Sequence, residues 1–208
     1  DASDRAGAGM IGIAVIGLGN ALTPHARGLA DLSDRARVVW GVARNAAQRE
    51  AAAAAYGWPV RPDAEGAIAD PAVDAVMILT PANAHLEFAQ AAFAAGRHVL
   101  CEKPLEVSLP RAEALVAAGR KANRHLGMML QLRFRDASRR LKAILDAGGL
   151  GEIQAATMTV AWWRAQSYYD EPGRGVKARD GGGVMMTQAI HTLDLLRWLV
   201  GIDSVQAS

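Results

Sequence analysis

The sequence predicts an α/β protein built on a doubly wound parallel sheet, followed by a region with a different pattern. Three observations carry this prediction. A glycine turn, Gly17-Leu18-Gly19-Asn20, follows an apolar strand and opens a helix. Strand and helix patterns then alternate, which is typical of a parallel sheet covered by helices. Beyond about residue 126 this alternation ends, and a long alternating strand and a long apolar helix follow.

The first region contains four clear strands separated by helices. The first strand is a continuous apolar run, as expected of a strand buried on both faces. Thr23-Pro24 is expected to begin the next helix as its N-cap and first helical residue. The predicted strands are 11–16, 38–43, 75–79 and 97–101, and the predicted later helices are 46–56, 85–95 and 109–124.

The second region has few elements with which to bury a strand. We predict a strand at 128–132, a helix at 137–147, an alternating strand at 153–163 and a helix at 185–200. One long strand is not stable alone, because independent stability usually takes three or more strands. We therefore predict a dinucleotide-type domain over residues 10–126 and an incomplete α+β domain over 127–208. Residues 1–9, small and polar, are left outside this fold as a tag or linker remnant.

Composition excludes several classes of partner. Half of the 208 residues are apolar and the net charge is +2, too small to indicate nucleic-acid binding. No apolar run approaches the roughly 20 residues of a membrane span, so no membrane partner is expected. Cys101 is the only cysteine, which excludes an internal disulfide and is compatible with a reducing compartment. A reducing compartment, the cytoplasm, is therefore expected.

The glycine turn is the first candidate binding site. Gly17 permits a tight turn, Gly19 lets the backbone approach a pyrophosphate, and the following helix offers N–H groups to phosphates. Leu22 stands in place of a third glycine. By itself the motif leaves a purely structural turn as an alternative, but its place between the first strand and a helix favours dinucleotide binding.

Arg44 is the candidate that sets cofactor preference. It follows the second strand, where an NAD-binding protein would place an Asp or Glu against the adenosine ribose. A guanidinium matches a phosphate instead. NADP is therefore favoured, with NAD as second choice; the alternative is that Arg44 is a solvated residue at a helix entry.

Lys103 is the first candidate for chemistry. It lies in Glu102-Lys103-Pro104, directly after an apolar strand, and is one of only four lysines among 23 basic residues. The carboxyl end of a parallel strand faces the crevice where such sheets bind ligands. The alternative is a surface lysine on a loop.

The last predicted helix carries the second candidate. Thr187, His191 and Asp194 are spaced by four and three residues and would share one helical face. An imidazole there can exchange a proton with a substrate hydroxyl at neutral pH, and Gln188 would bind substrate. The alternative is a core histidine paired with Asp194.

Together these motifs resemble the glucose-fructose oxidoreductase and inositol dehydrogenase family. The resemblance runs from Met10 to the chain end. It implies an N-terminal Rossmann domain and a C-terminal domain with a mostly antiparallel open sheet, which forms one wall of the active site and often the oligomer interface. The motifs that carry it are the glycine turn, Thr80-Pro81 with Asn83 and His85, residues 95–105, Gln131 and Arg133, residues 148–151, and Gly181-Gly182-Gly183 followed by Gln188, His191 and Asp194.

The resemblance implies an NAD(P)-dependent dehydrogenase or reductase acting on CH–OH groups. The substrate would be a sugar, polyol or cyclic diol, and the protein a homo-oligomer of two or four chains. By position, Lys103 and His191 would be the catalytic pair; Thr187 stands where many polyol-oxidising members have an aspartate, so substrate identity does not follow. The family also contains glycosidases that retain NAD and non-catalytic regulators, which stay as alternatives. Cofactor-binding residues would be Gly17, Gly19, Asn20, Arg44, Thr80, Pro81, Asn83, His85, Glu102 and Lys103, and substrate-binding residues Arg133, Thr187, Gln188 and His191; no metal ligand is assigned.

Overall fold

A computed structural model describes residues 9–170 and 172–201. The chain divides into two compact units, which part between Met128 and Met129. Residues 1–8 of the predicted tag and residues 202–208 of the predicted second domain lie outside the described residues.

The first unit contains a six-stranded, wholly parallel sheet. The strands are β1 Ile11–Ile16, β2 Ala36–Val42, β3 Val60–Arg61, β4 Ala75–Ile78, β5 His98–Cys101 and β6 Leu126–Met128. Their order in the sheet is β3-β2-β1-β4-β5-β6, so the direction of winding reverses between β1 and β4. This is the order of a doubly wound dinucleotide-binding sheet, and the predicted fold class is confirmed.

Helices cover both faces of this sheet, and each face has its own apolar core. The helices of this unit are α1 Leu22–Asp31, α2 Ala46–Tyr56, α3 Ala64–Ala69, α4 His85–Ala94 and α5 Leu109–Lys121. Alternation along β1 places Val15 on one face, where α1 and α2 pack, and Ile16 on the other, where α3, α4 and α5 pack.

Among the described residues, no helix combines the length and apolar character needed to cross a bilayer.

The start of α1 and the last strand of the first unit were predicted wrongly, and several other ends in this unit differ from the prediction by one to three residues. Helix α1 begins at Leu22 with Ala21 as its N-cap, so the prediction of Thr23 as N-cap is wrong. Pro24 is accommodated because amides of the first turn have no partner within the helix. The strand predicted at 128–132 is also wrong: β6 ends at Met128 because its partner β5 ends at Cys101, and Gln131–Phe134 forms a 3-10 helix.

The second unit is helical where it is regular. The predicted strand at 153–163 has no strand assignment, and most of its residues are exposed. A strand needs a hydrogen-bonded neighbour, and none lies among the described residues of this unit. The predicted helix at 185–200 is broken at Gln188-Ala189. The helices here are α6 Asp136–Asp146, α7 Gln166–Tyr169, α8 Lys177–Asp180, α9 Val184–Thr187 and α10 Ile190–Val200.

Candidate functional site

The glycine turn follows β1, at the point where the strand order reverses. Gly17 has a φ of 104°, and a Cβ there would lie 2.8 Å from the carbonyl carbon of Leu79. Only glycine therefore allows the turn to lie this close to the end of β4. A Cβ on Gly19 would approach only the Gln48 side chain, at 3.9 Å. The backbone at Gly19 thus borders open space just before α1, as a phosphate-binding turn requires; Asn20 is exposed next to it.

Thr80 follows β4 on the same edge of the sheet. Its hydroxyl oxygen Oγ1 is buried and has no hydrogen-bond partner among the described residues. A buried polar group without a partner costs about 1–3 kcal/mol, so this position suits a bound group that supplies one. Pro81 and Asn83, which were predicted with Thr80 to bind cofactor, are exposed in the segment that follows. The open space at Gly19 and the hydroxyl of Thr80 together fit a dinucleotide.

Arg44 is exposed directly after β2. Arg49 in α2 holds the backbone there, because its Nη1 donates to the carbonyl oxygens of Ala43 and Arg44, both at 2.8 Å. The backbone that carries Arg44 is thus fixed to the following helix. Contact between the Arg44 guanidinium and a cofactor phosphate stays a prediction.

Glu102 joins the segment that carries Lys103 to the helix that follows the glycine turn. Its Oε2 accepts a hydrogen bond from the backbone N–H of Lys103 at 2.9 Å, and its Oε1 lies 2.7 Å from Nε2 of His25 in α1. Burial raises the pKa of Glu102, but the hydrogen bonds from His25 and Lys103 outweigh it and hold this pKa below its ordinary value. The carboxylate is therefore ionised at neutral pH.

Glu106 anchors the other side of the same loop. Its buried carboxylate accepts hydrogen bonds from the backbone N–H groups of Leu86, at 3.0 Å, and Val107, at 2.7 Å. Nε of Arg111 donates to it at 2.9 Å. Burial raises the pKa of Glu106, while these hydrogen bonds, led by that from Arg111, lower it below its ordinary value. The loop after Lys103 is therefore fixed to α4 and α5.

His85 is buried among the segments that carry the candidate site and is not exposed at the site itself. It is only 1% exposed. Its Nε2 lies 2.8 Å from the carbonyl oxygen of Thr80, and its Nδ1 lies 3.2 Å from that of Leu105. The ring thereby joins the segments that follow β4 and β5. A direct contact of His85 with the cofactor stays a prediction.

His25 and Glu106 were not predicted from the sequence. The buried residues of α1 are Leu22, His25, Ala26 and Leu29, at the spacing of one helical face. A histidine on such an apolar stripe is itself a signal, because buried polar groups are nearly always hydrogen-bonded. No comparable pattern points to Glu106, which lies in a loop.

The second unit carries the remaining predicted site residues. Thr187 ends α9, and its Oγ1 donates to the carbonyl oxygen of Gly183 at 3.1 Å. Gln188 is buried in the break, and His191 is buried in the first turn of α10. Because the helix is interrupted, the prediction that Thr187 shares one continuous helical face with His191 is wrong.

Arg133 and Asp194 form an ion pair within this unit. Nε of Arg133 donates to Oδ2 of Asp194 at 2.6 Å, and Nη2 donates to Oδ1. The hydrogen bonds to Asp194 raise the pKa of Arg133. Two of the guanidinium donors predicted for substrate are thus directed to Asp194, and a substrate contact of Arg133 stays a prediction.

Comparison with known families agrees with this arrangement. The sequence model of an oxidoreductase family with an NAD-binding Rossmann fold matches residues 11–130, and that of the GFO/IDH/MocA C-terminal domain matches residues 138–208. The chain belongs to this oxidoreductase family. The resemblance seen in the sequence is thereby confirmed. The Rossmann fold of this family binds NAD.

Relatives within the family are named for sugars and inositols. The chain is 35% identical to 1,5-anhydro-D-fructose reductase of Ensifer adhaerens over 143 residues, 69% of this chain and 42% of that protein. It is 33% identical to inositol 2-dehydrogenase of Streptomyces avermitilis over 198 residues, 92% of this chain and 54% of that protein. The chain thus spans about half the length of these relatives.

Solved structures of the family share the fold. The WlbA dehydrogenase of Bordetella pertussis, in complex with NADH and UDP-GlcNAcA, matches with a TM-score of 0.86 and 34% identity over 92% of this chain and 55% of that one. Myo-inositol 2-dehydrogenase of Lactobacillus plantarum matches with a TM-score of 0.79 and 25% identity, covering 95% of this chain and 58% of that one.

Proposed function

We propose that this chain supplies the cofactor site and part of the substrate site of an NAD(P)-dependent dehydrogenase or reductase. The substrate is a sugar, polyol or cyclic diol, whose CH–OH group is oxidised or whose ketone is reduced. Membership of the oxidoreductase family and the sugar and inositol names of the relatives support the reaction class. A cytoplasmic homo-oligomer of two or four chains completes the proposal.

One observation carries the proposal: the glycine turn and Lys103 belong to the same edge of the sheet and are tied together. Glu102 binds the backbone of Lys103 and contacts His25 of the helix that the turn opens. Ligands of doubly wound sheets bind in the crevice outside the carboxyl ends of the strands. A lysine fixed there lies on the cofactor side of the sheet.

Lys103 and His191 are proposed as the proton-transfer residues. When bound, the nicotinamide supplies the hydride acceptor, or the donor in the reverse direction. Lys103 takes the proton from the substrate hydroxyl as its carbon is oxidised, which avoids a high-energy protonated ketone, and His191 relays that proton. In reduction the same residues return a proton to the oxygen. Thr187, Gln188 and Arg133 bind the substrate's other hydroxyl groups.

We further propose that Arg44 binds the phosphate on the adenosine ribose of NADP, so that NADP is preferred to NAD. The exposed position of Arg44 after β2 supports this assignment. The WlbA structure contains NADH, and NAD is therefore the second choice.

A lysine variant tests the catalytic assignment. Lys103→Ala in the full chain should lower turnover with an accepted sugar or polyol by a factor of about 10² or more, because the proton acceptor is lost. Dinucleotide binding, measured by fluorescence titration, should persist, since the glycine turn holds the phosphates. Lys121→Ala, an exposed position at the end of α5, is the matched control. Unchanged turnover in Lys103→Ala would remove Lys103 from the mechanism.

A further inference from the structure

We infer that His25 is a positioning residue for Lys103, acting through Glu102; the inference rests on the proposed function. His25 is only 7% exposed, although it belongs to a helix whose other buried residues are apolar. Burying an imidazole on an apolar face is unfavourable unless it gains a partner. That partner is the carboxylate next to Lys103, with Nε2 and Oε1 2.7 Å apart.

The direction of the hydrogen bond between His25 and Glu102 follows from the carboxylate. The pKa of Glu102 lies below its ordinary value, so both of its oxygens act only as acceptors. Nε2 of His25 must therefore carry the hydrogen and donate it to Oε1. The other oxygen, Oε2, accepts the backbone N–H of Lys103 at 2.9 Å. Each oxygen of the carboxylate thus has one defined role, and His25 fixes its orientation.

Without the hydrogen bond from His25, Glu102 would be a largely buried carboxylate that has lost a donor. Its side chain is only 17% exposed, so water replaces that donor poorly. The charge of Lys103 already acts on this carboxylate and helps to lower its pKa. A reoriented carboxylate would therefore change the position of the amine. His25 keeps the carboxylate, and with it the amine, in one orientation.

The rest of the loop does not depend on His25. Glu106 binds Leu86, Val107 and Arg111 on the far side of Pro104, and His85 lies within hydrogen-bonding distance of the Leu105 carbonyl oxygen. A change at His25 should therefore alter the carboxylate and the amine next to it while the loop stays folded. We therefore expect such a change to lower turnover and to leave dinucleotide affinity unaltered.

Two amide variants separate positioning from packing. In His25→Gln, the amide nitrogen stands as many bonds from Cβ as Nε2 does and can still donate to Glu102. In His25→Asn, the amide ends at the place of Nδ1 and does not reach. The variants share the same functional group and differ in this one hydrogen bond, so each is the control of the other.

The readouts are kcat, dinucleotide affinity, and the rate of acylation of Lys103 without cofactor, relative to exposed Lys121 in the same chain. His25→Asn should lose about tenfold or more in kcat, as misplaced catalytic groups do. Its acylation ratio should change while dinucleotide affinity holds. His25→Gln should resemble the unaltered protein in all three. Equal kcat values and equal acylation ratios in the two variants would overturn the inference.

A third variant tests the inference in case His25→Asn does not fold. Glu102→Gln has the same shape but only one oxygen, so it can accept from His25 or from Lys103 and not from both; it should lose kcat to a similar extent. Normal kcat in Glu102→Gln would overturn the inference. Normal turnover in Lys103→Ala would show that the proposed function is wrong, independently of His25. In that case the acylation ratio would still report whether His25 positions the amine.

Discussion

Arg44 is the single residue on which the proposed choice between NADP and NAD depends. The backbone that carries it is fixed by Arg49, while its own side chain is exposed after β2. Charged hydrogen bonds contribute about 1.5–3 kcal/mol each, so one arginine is enough to decide a cofactor preference.

Arg44→Ala should therefore raise the KM for NADP by about tenfold to a hundredfold, which is the fold-change that corresponds to losing one such charged hydrogen bond. The KM for NAD should stay nearly constant, because NAD has no phosphate at that position. Arg37→Ala, which changes an exposed arginine in the first half of β2, is the control. An unchanged KM for NADP in Arg44→Ala, or a preference for NAD already present in the unaltered protein, would contradict the assignment.

At the scale of elements, the glycine turn shows two different uses of the same residue type. Gly17 has a positive φ and lies against the backbone at the end of β4, so it is needed for the fold. Gly19 borders open space, so it is needed only when a ligand occupies that space.

Alanine at each position should separate these uses. Gly17→Ala should lower the free energy of unfolding by about 1–3 kcal/mol, the cost of a side chain in a strained backbone conformation. Gly19→Ala should unfold at nearly the same denaturant concentration but bind the dinucleotide more weakly, because its methyl group occupies the phosphate space. Denaturation curves and cofactor titrations check both. Equal affinity in Gly19→Ala and the unaltered protein would place the phosphates elsewhere.

Local sequence predicted most elements of the first unit, but only some of their ends. The bounds of β1 and α2 were predicted correctly because apolar runs and turn residues mark them. The end of β6 was not, because it is set by where β5 ends and not by the apolar run that continues past Met128. The break at Gln188-Ala189 was missed for a similar reason: apolar residues lie on both sides of it, and neither glycine nor proline marks it.

The motifs of the candidate site were predictable from the sequence, but the buried contacts that hold them in place were not. Gly17, Gly19 and Lys103 could be found from the strands they follow, because parallel strands bring their carboxyl ends to one edge. The contact between His25 and Glu102 joins residues 77 positions apart, and no local pattern specifies such a pair. Only the presence of a histidine on an apolar helical stripe hinted at it.

At the scale of the whole molecule, the two proposed catalytic residues belong to different units. Lys103 lies in the parallel-sheet unit, and His191 lies in α10 of the second unit. The alternation of residues 153–163 predicted a strand. A strand forms only when a neighbouring strand pairs with it, and the described residues include no such partner for this segment. The first unit was therefore the more predictable, since the pairing partners of its strands lie within it.

The most direct test of the account is the absorbance of the nicotinamide during turnover of the full chain. With an accepted sugar, polyol or cyclic diol, we predict one reduced dinucleotide for each substrate molecule oxidised, measured at the band of the reduced ring. Product formed without any net absorbance change would instead indicate a glycosidase that retains its cofactor. That result, or tight dinucleotide binding with no reaction across a broad substrate panel, would contradict the central claim that this family member is a dehydrogenase.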